Sequence, residues 1–191
     1  MKLLREYIRK LLSEGAKGVE DIPRGVYIKI WSAGRGDVSF KFTNYRGSLY
    51  KKTKISGIVG IVETDPKYGP CDGAYKMTWS QADKGWGPLL YDVAIEYATL
   101  RGNGLMPDRE MVSGEAKRVW DYYLKNRSDV TAHQLDNLED ELTPGYKPDN
   151  CMHSSTEEEH EEDIRTSSLS RRYTKEPTVM TALRKAGRII D

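Results

Sequence analysis

The chain has 191 residues and is nearly neutral, because 30 lysines and arginines stand against 29 aspartates and glutamates and leave a net charge of +1. That length suffices for one domain with its own core, and the charge balance excludes a general attraction to nucleic acid or to an anionic membrane. No apolar run reaches the roughly 20 residues that span a bilayer, and charges interrupt residues 1–15, which argues against a secretory signal. The sequence therefore predicts a cytoplasmic protein in which Cys71 and Cys151 are reduced thiols.

The first half of the chain predicts one helix and then four strands. Residues 3–12 place leucines, Tyr7 and Ile8 on one helical stripe, with charged residues opposite. Apolar residues then alternate in four segments, which predict one largely antiparallel sheet: residues 26–32, 38–42, 55–63 and 74–79.

The second half predicts helices separated by short strands. From Pro88 the apolar positions follow a 3.6-residue period, which is typical of a helix. A short strand is expected within residues 101–109, and a second helix is expected to begin after Ser113, a favoured N-cap residue. The remaining predictions are a short helix, a last strand and a C-terminal helix, at residues 129–142, 169–177 and 178–190.

Residues 143–168 form a long polar stretch with an acidic run. Such a segment cannot bury enough apolar surface to fold alone, so a long exposed loop is expected, and residues 150–166 are predicted to be mobile and dispensable for folding. Cys151, His153 and His160 lie near these acids, but a structural zinc site needs four ordered ligands, so no metal is expected. The predicted fold class is α+β (mixed α/β), a single domain over residues 1–191 with a mostly antiparallel central sheet flanked by helices.

A glycine-containing loop, DKGWGP at residues 83–88, joins the fourth predicted strand to the first long helix. Glycine lets the backbone approach an anion closely, and a helix N-terminus offers unpaired N–H groups and a partial positive charge. Two interpretations stay open: a plain strand-to-helix turn, or a phosphate site. The donors of a phosphate site would be the backbone N–H groups of Lys84, Gly85, Trp86, Gly87 and Leu89, with the Lys84 side chain adding charge.

The order of these elements resembles the GNAT superfamily of N-acetyltransferases over roughly residues 25–130. In that family a helical part and antiparallel strands lead into a Gln/Arg-x-x-Gly-x-Gly/Ala loop, which caps a long helix and binds the pyrophosphate of coenzyme A. A short strand, a second helix and a hairpin-type ending follow. The matching segments here are AYKMTWSQAD, KGWGPLLYDVAIEYA, GLMPD and SGEAKRVWDYYLKNR, with RRYTKEP as a last strand.

The resemblance implies an N-acetyltransferase that moves an acetyl group from acetyl-coenzyme A to an amine. It implies that Tyr122 or Tyr123 is the proton donor to the coenzyme sulfur. Two carboxylates are candidates for the general base: Glu63, at the end of the third strand, and Asp83, before the loop. Glu63 is the preferred one. The implied coenzyme-binding residues are Met77, Thr78, Trp79, Lys84, Gly85, Trp86, Gly87, Leu89 and Ser113.

Two positions depart from the family pattern. Ala82 stands where Gln or Arg is usual, and Trp120 stands at the position of the usual tyrosine. Both departures favour an alternative function, a non-catalytic binding or interaction protein with a degenerate fold of this type. Tyr75 and Trp79 are expected on one face of the fourth strand, either lining an acceptor pocket or packing in the core. The expected partners are a coenzyme A thioester, an acceptor (small amine, protein or nucleobase) and a second copy of the chain in a homodimer, with no membrane.

Overall fold

The computed structural model of the chain describes residues 15–34, 36–44, 54–152 and 164–190. The helix predicted for residues 3–12 lies outside these ranges, and so do His153 and His160. Structural statements below refer to the described residues.

Eight strands form one mixed, mostly antiparallel sheet in the order β6-β7-β5-β4-β3-β2-β1-β8. Strands β1 to β4 are antiparallel neighbours, whereas β4 pairs with β5 and β1 pairs with β8 in parallel. All four strands predicted from alternation are therefore confirmed. The strands are β1 (Val26–Gly34), β2 (Asp37–Asn44), β3 (Gly57–Glu63), β4 (Tyr75–Ala82), β5 (Leu105–Met106), β6 (Val130–Gln134), β7 (Arg171–Lys175) and β8 (Ile189–Ile190).

Three helices complete the described fold: α1 (Gly87–Arg101), α2 (Gly114–Asn126) and α3 (Thr178–Lys185). The Ser113 side chain accepts a hydrogen bond from the Ala116 N–H at 3.2 Å, so Ser113 is the predicted N-cap of α2. The α+β class with a mostly antiparallel sheet and flanking helices is thus confirmed.

The core lies between the sheet and α1. Val38, Phe40 and Phe42 are buried on one face of β2, as alternation predicts. Phe40 packs edge-on against Tyr97 of α1, with ring centroids 5.3 Å apart. Because α1 is buried from Leu89 through Glu96, it contacts neighbours on most of its sides rather than on a single stripe.

The short helix predicted for residues 129–142 is wrong. Residues 130–134 form β6, which pairs with β7 from Val130 opposite Lys175 to Gln134 opposite Arg171. Backbone pairing to a distant strand overrides the ambiguous local pattern, and Val130 and Thr131 are β-branched residues that suit a strand. Beyond α3, the chain also adds β8 where only a helix was expected.

The prediction of reduced thiols is also wrong, and so is the start, at residue 150, of the segment predicted to be mobile. Cys71 and Cys151 form a disulfide, and both are buried. The Cys71 N–H donates to the Asn150 carbonyl at 3.1 Å, and the Cys151 N–H donates to the Asp136 carbonyl at 2.9 Å. These long-range backbone bonds bring the cysteines together, so residues 150 and 151 belong to the packed fold. Residues 153–163 lie outside the described ranges.

Candidate functional site

The glycine loop is anchored through Asp83. The Asp83 carboxylate accepts the Ser56 N–H at 2.7 Å, and the Asp83 N–H donates to the Ser56 carbonyl at 2.9 Å. The Trp86 N–H in turn donates to the Asp83 carbonyl at 3.0 Å. Asp83 therefore ties the loop to the segment before β3, which is a structural use of the carboxylate.

Gly85 is required by the fold itself. Its φ is +85°, and a Cβ at this position would lie 2.0 Å from the Gly15 carbonyl oxygen. The Lys17 N–H also donates to the Gly85 carbonyl at 2.9 Å. Any side chain at position 85 would be strained and would collide with the chain before β1, so this glycine is accounted for without a ligand.

Gly87 is different, because nothing in the described fold requires a glycine there. Its φ lies outside the left-handed region, and a Cβ would meet open space. It begins α1, whose N-cap Trp86 supplies no side-chain acceptor. Within the described residues no acceptor is found for the N–H groups of Gly87 and Leu89. This end of α1 therefore has backbone donors without a described acceptor, at half-buried Gly87 and buried Leu89, and the positive end of a helix dipole.

Trp86 is a core residue rather than an exposed loop residue. It is 1% exposed and packs edge-on against Phe42, with ring centroids 5.3 Å apart. The Lys17 ammonium lies 4.9 Å from the centroid of its ring. Lys84 is exposed beside it. Of the predicted loop ligands, Lys84 is exposed and Gly87 is half-buried, whereas Leu89 and Trp86 are buried and hold the loop on the core.

The edge of β4 that faces β5 is largely unpaired. The parallel pairing covers Tyr75 with Leu105 and Lys76 with Met106, and no further residue of β4 pairs on that side. Residues 77–82 therefore present backbone donors and acceptors along an edge with no strand neighbour among the described residues. This edge leads directly into the glycine loop and the start of α1.

A β-bulge divides β4 and corrects the prediction for Tyr75 and Trp79. Met77 lies opposite Ile61 while Trp79 lies opposite Gly60, so Thr78 is an extra residue in β4. The extra residue reverses the alternation. Tyr75 consequently packs against Tyr97 on the side of α1, with ring centroids 6.4 Å apart, whereas Trp79 is 49% exposed on the opposite face.

The sequence reasoning missed one pair of hydroxyl groups near the open edge. The Ser80 hydroxyl on β4 lies 2.9 Å from the Tyr91 hydroxyl on α1. Tyr91 is 4% exposed, and its burial raises the pKa of the phenol. The sequence feature that could have identified this pair is the position of Tyr91 in the first turns of α1, shortly after the glycine loop.

The two predicted proton donors on α2 are placed differently. Tyr123 is buried and donates its hydroxyl to the Asp92 carboxylate at 2.7 Å, and Arg127 holds that carboxylate at 2.9 Å. Burial, and next the charge of Asp92, raise the pKa of Tyr123 well above its ordinary value. The hydroxyl proton of Tyr123 is thus held by the Asp92 carboxylate. Tyr122 is half-buried beside Tyr123, with ring centroids 6.2 Å apart.

Trp120 packs in the core. It is 1% exposed and stacks on Tyr173 of β7, with ring centroids 5.0 Å apart. The side chain of Trp120 therefore supports the sheet and carries no proton donor toward the open edge.

Glu63 lies at the far end of the sheet from the glycine loop. Glu63 is opposite Tyr75 at the start of β4, whereas Ala82, at the end of β4, is opposite Gly57. Six residue steps of β3 separate these ends, a distance of roughly 20 Å. The Tyr75 hydroxyl donates to the exposed Glu63 carboxylate at 3.3 Å, and burial, followed by the charge of Glu63, raises the pKa of Tyr75.

Within the described ranges no cluster of His, Cys, Asp and Glu side chains is arranged to hold a metal ion. No helix in the part of the chain that the structure describes is long and apolar enough to cross a membrane. Comparison of the chain with family models, with curated proteins and with solved structures gives no match.

Proposed function

We propose that the chain is an acyltransferase of the GNAT type, which transfers an acetyl group from acetyl-coenzyme A to an amine. The observation that carries the proposal is the unpaired edge of β4 over residues 77–82, which runs into the uncapped start of α1. The order of strands and helices along the chain also agrees with the order that the family resemblance implies.

The described residues fit the coenzyme in part. The N–H group of Gly87 and the Lys84 ammonium would hold the pyrophosphate, because Gly87 has open space beside it at the positive end of α1 and Lys84 is exposed. Leu89 is buried and would contribute at most its backbone N–H. Gly85 adds no space for a ligand, since Gly15 occupies that side. The amide groups of the pantetheine arm would hydrogen-bond to the unpaired backbone groups along the edge of β4, in the way that an added strand does.

The chain's own residues supply three functions to the transfer. A backbone N–H on the open edge of β4 polarises the thioester carbonyl. The amine forms a C–N bond as the C–S bond breaks, so the amine loses a proton and the thiolate gains one. Tyr122, or Tyr91 through its contact with Ser80, delivers a proton toward the sulfur, and Glu63 accepts the proton of the amine through intervening water.

The second candidate function is binding of coenzyme A without transfer. Trp120 is a buried stacking residue, and the Tyr123 hydroxyl is held by Asp92. Both observations favour a protein that keeps the binding surface and lacks the proton donor on α2. The two functions share the glycine-loop site and differ in turnover.

The test is calorimetric titration of coenzyme A into wild type and Gly87→Glu. The substituted carboxylate places bulk and negative charge among the phosphate donors, so affinity is expected to fall at least about a hundredfold. Gly114→Glu is the matched control, because Gly114 begins α2 and a Cβ there also meets open space. A glutamate in the first turn suits both helices, so both variants should keep the wild-type melting temperature.

Three outcomes separate the possibilities. Acetyl transfer to a panel of primary amines, with loss of binding confined to Gly87→Glu, supports the acyltransferase. Binding with no turnover on any amine selects the binding protein. No binding by wild type, or equal binding by both glutamate variants, overturns the site.

A further inference from the structure

Four residues form a row across the face of the sheet that lies opposite α1. Trp31 lies opposite Ser39, Ser39 opposite Gly60, and Gly60 opposite Trp79. The two tryptophans are 56% and 49% exposed, and the small residues between them form the floor of a groove of about 240 Å³. Asp37 and Thr78 also line this groove, which we call the tryptophan groove.

The floor of the tryptophan groove depends on Gly60. A Cβ at this position would lie 2.8 Å from the Thr78 hydroxyl and 2.9 Å from Nε1 of Trp79. The φ of Gly60 is one that other residues adopt, so space rather than backbone conformation requires the glycine. Three strand spacings separate the Cα atoms of Trp31 and Trp79, roughly 14 Å. The Trp79 indole lies over Gly60, so the space for a flat ring between the two indoles is the part of the groove over Ser39.

A pair of lysines lies next to the groove. Lys29 and Lys41 are directly opposite each other on β1 and β2, and both are exposed. Alternation places them on the same face as Trp31 and Ser39, two residues away along each strand, or roughly 7 Å. Like charges directly opposite destabilise a sheet, and no carboxylate in the described ranges pairs with either lysine. An anion at this position would relieve the repulsion.

On the other side of Ser39 lies a carboxylate. Asp37 is exposed on the same face of β2, and its carboxylate has no hydrogen bond or ion pair among the described residues. A carboxylate oxygen accepts hydrogen bonds and therefore suits an amino group. Along one face of β2 the chain thus places an acceptor, a small floor residue and a cation: Asp37, Ser39 and Lys41.

We propose that the tryptophan groove binds a nucleotide. The base stacks between Trp31 and Trp79, its exocyclic amino group donates to Asp37, and the phosphate lies at Lys29 and Lys41. Aromatic residues on an open sheet face stack bases in this way, and neighbouring cations contact the phosphate. The site is separate from the open edge of β4, and the proposal does not depend on acyl transfer.

The experiment measures fluorescence polarisation of a labelled single-stranded oligodeoxyadenylate with the full chain. Trp31→Ala and Trp79→Ala are each expected to weaken binding at least about fivefold, whereas Trp79→Phe keeps most of it. Leu100→Ala is the matched control, because Leu100 is 54% exposed on α1, and it should bind as wild type does. Melting curves check that each variant is folded, and Trp79→Phe separates loss of stacking from loss of fold.

Charge and base identity provide two further readouts. Changing Lys29 and Lys41 to glutamine should flatten the dependence of affinity on salt concentration, because fewer counterions are released. Asp37→Ala should remove the preference for oligodeoxyadenylate over oligothymidylate, since thymine has no exocyclic amino group. Competition with free AMP distinguishes a nucleotide site from a strand site: equal affinity indicates the former, and weaker binding of AMP the latter.

Two results would overturn the proposal. One is the absence of binding by wild type to the oligonucleotide and to AMP. The other is binding by folded Trp31→Ala and Trp79→Ala that equals the binding of Leu100→Ala.

Discussion

A single hydroxyl group lies between two buried aspartates in the loop after β6. The Thr143 hydroxyl oxygen is 2.7 Å from the Asp149 carboxyl group and 3.1 Å from that of Asp136. Burial alone would raise the pKa of Asp136, but N–H donors from Thr143, Leu142 and Asn137 outweigh it and lower that pKa. Burial, together with the charge of Asp136, raises the pKa of Asp149. The Thr143 hydroxyl donates to Asp149, but this bond lowers the pKa less than burial raises it, so the charged form of Asp149 is disfavoured in the folded protein.

Asp149→Asn is therefore expected to raise the melting temperature at neutral pH. A carboxyl group whose folded pKa is raised contributes stability fully below its unfolded pKa, near 3.8, and loses that contribution as pH rises through the folded pKa. The amide oxygen still accepts the Thr143 hydroxyl and the amide carries no charge beside Asp136, so the advantage of Asp149→Asn should shrink as pH falls. Melting curves from about pH 4 to about pH 8 measure this difference.

Glu139→Gln is the control for that experiment, because Glu139 is exposed in the same loop. Its melting temperature should equal that of wild type at every pH. If the melting temperature of Asp149→Asn follows the same pH curve as that of Glu139→Gln, the raised pKa of Asp149 is wrong.

At the scale of elements, one carboxylate of α1 connects β7 and α3. Glu96 is fully buried and accepts the N–H groups of Val179 at 2.9 Å and Met180 at 2.7 Å, in the first turn of α3. The buried Lys175 ammonium of β7 bonds the same carboxylate. Glu96 therefore provides the N-terminal cap that α3 lacks in its own sequence, since Pro177 offers no side-chain acceptor.

Glu96→Gln should destabilise the fold by about 3–5 kcal/mol, because it removes the buried counter-charge of Lys175 and leaves only the half-exposed Asp129 carboxylate, 3.7 Å away. Urea denaturation measures the free energy of unfolding. Adding Lys175→Met to the same chain should recover part of the loss, since an apolar side chain needs no partner there. Glu115→Gln is the surface control, because its pair with Arg118 is exposed and should cost at most about 1 kcal/mol. A buried variant that costs no more than this control would contradict the assignment.

At the scale of the whole molecule, the Cys71–Cys151 disulfide closes a loop across 80 positions of sequence. The enclosed segment contains β4, α1, β5, α2 and β6. The bond therefore covalently links the two ends of a segment that holds three strands and two helices. A disulfide of this span restricts the unfolded chain, and its loss typically costs about 2–4 kcal/mol.

Cys71→Ser with Cys151→Ser is accordingly expected to lower the free energy of unfolding by about 2–4 kcal/mol. A thiol reagent added to the urea-unfolded wild-type protein, without reductant, should find no free thiol. Reductant should lower the wild-type melting temperature to that of the double variant and leave the variant unchanged. Reaction of two thiols before reduction would restore the prediction of reduced cysteines.

The sequence by itself determined the local elements whose signals are local. Alternation in residues 26–44 and 55–79 located four strands, because one buried face imposes a period of two. Ser113 located the start of α2, since a hydroxyl at that position satisfies a backbone donor of the first turn. The glycine loop was located as the junction between a strand and a helix, where Gly85 adopts a positive φ.

Only the tertiary structure decided what depends on partners distant in sequence. Gly85 is a packing residue because Gly15 passes beside it, whereas Gly87 is open. The bulge at Thr78 turns Trp79 away from Tyr75, and pairing with β7 makes a strand of residues 130–134. The disulfide forms because backbone bonds join the segments around residues 71 and 150. Pairing across a sheet fixes register, facing and proximity, and a linear pattern carries none of the three.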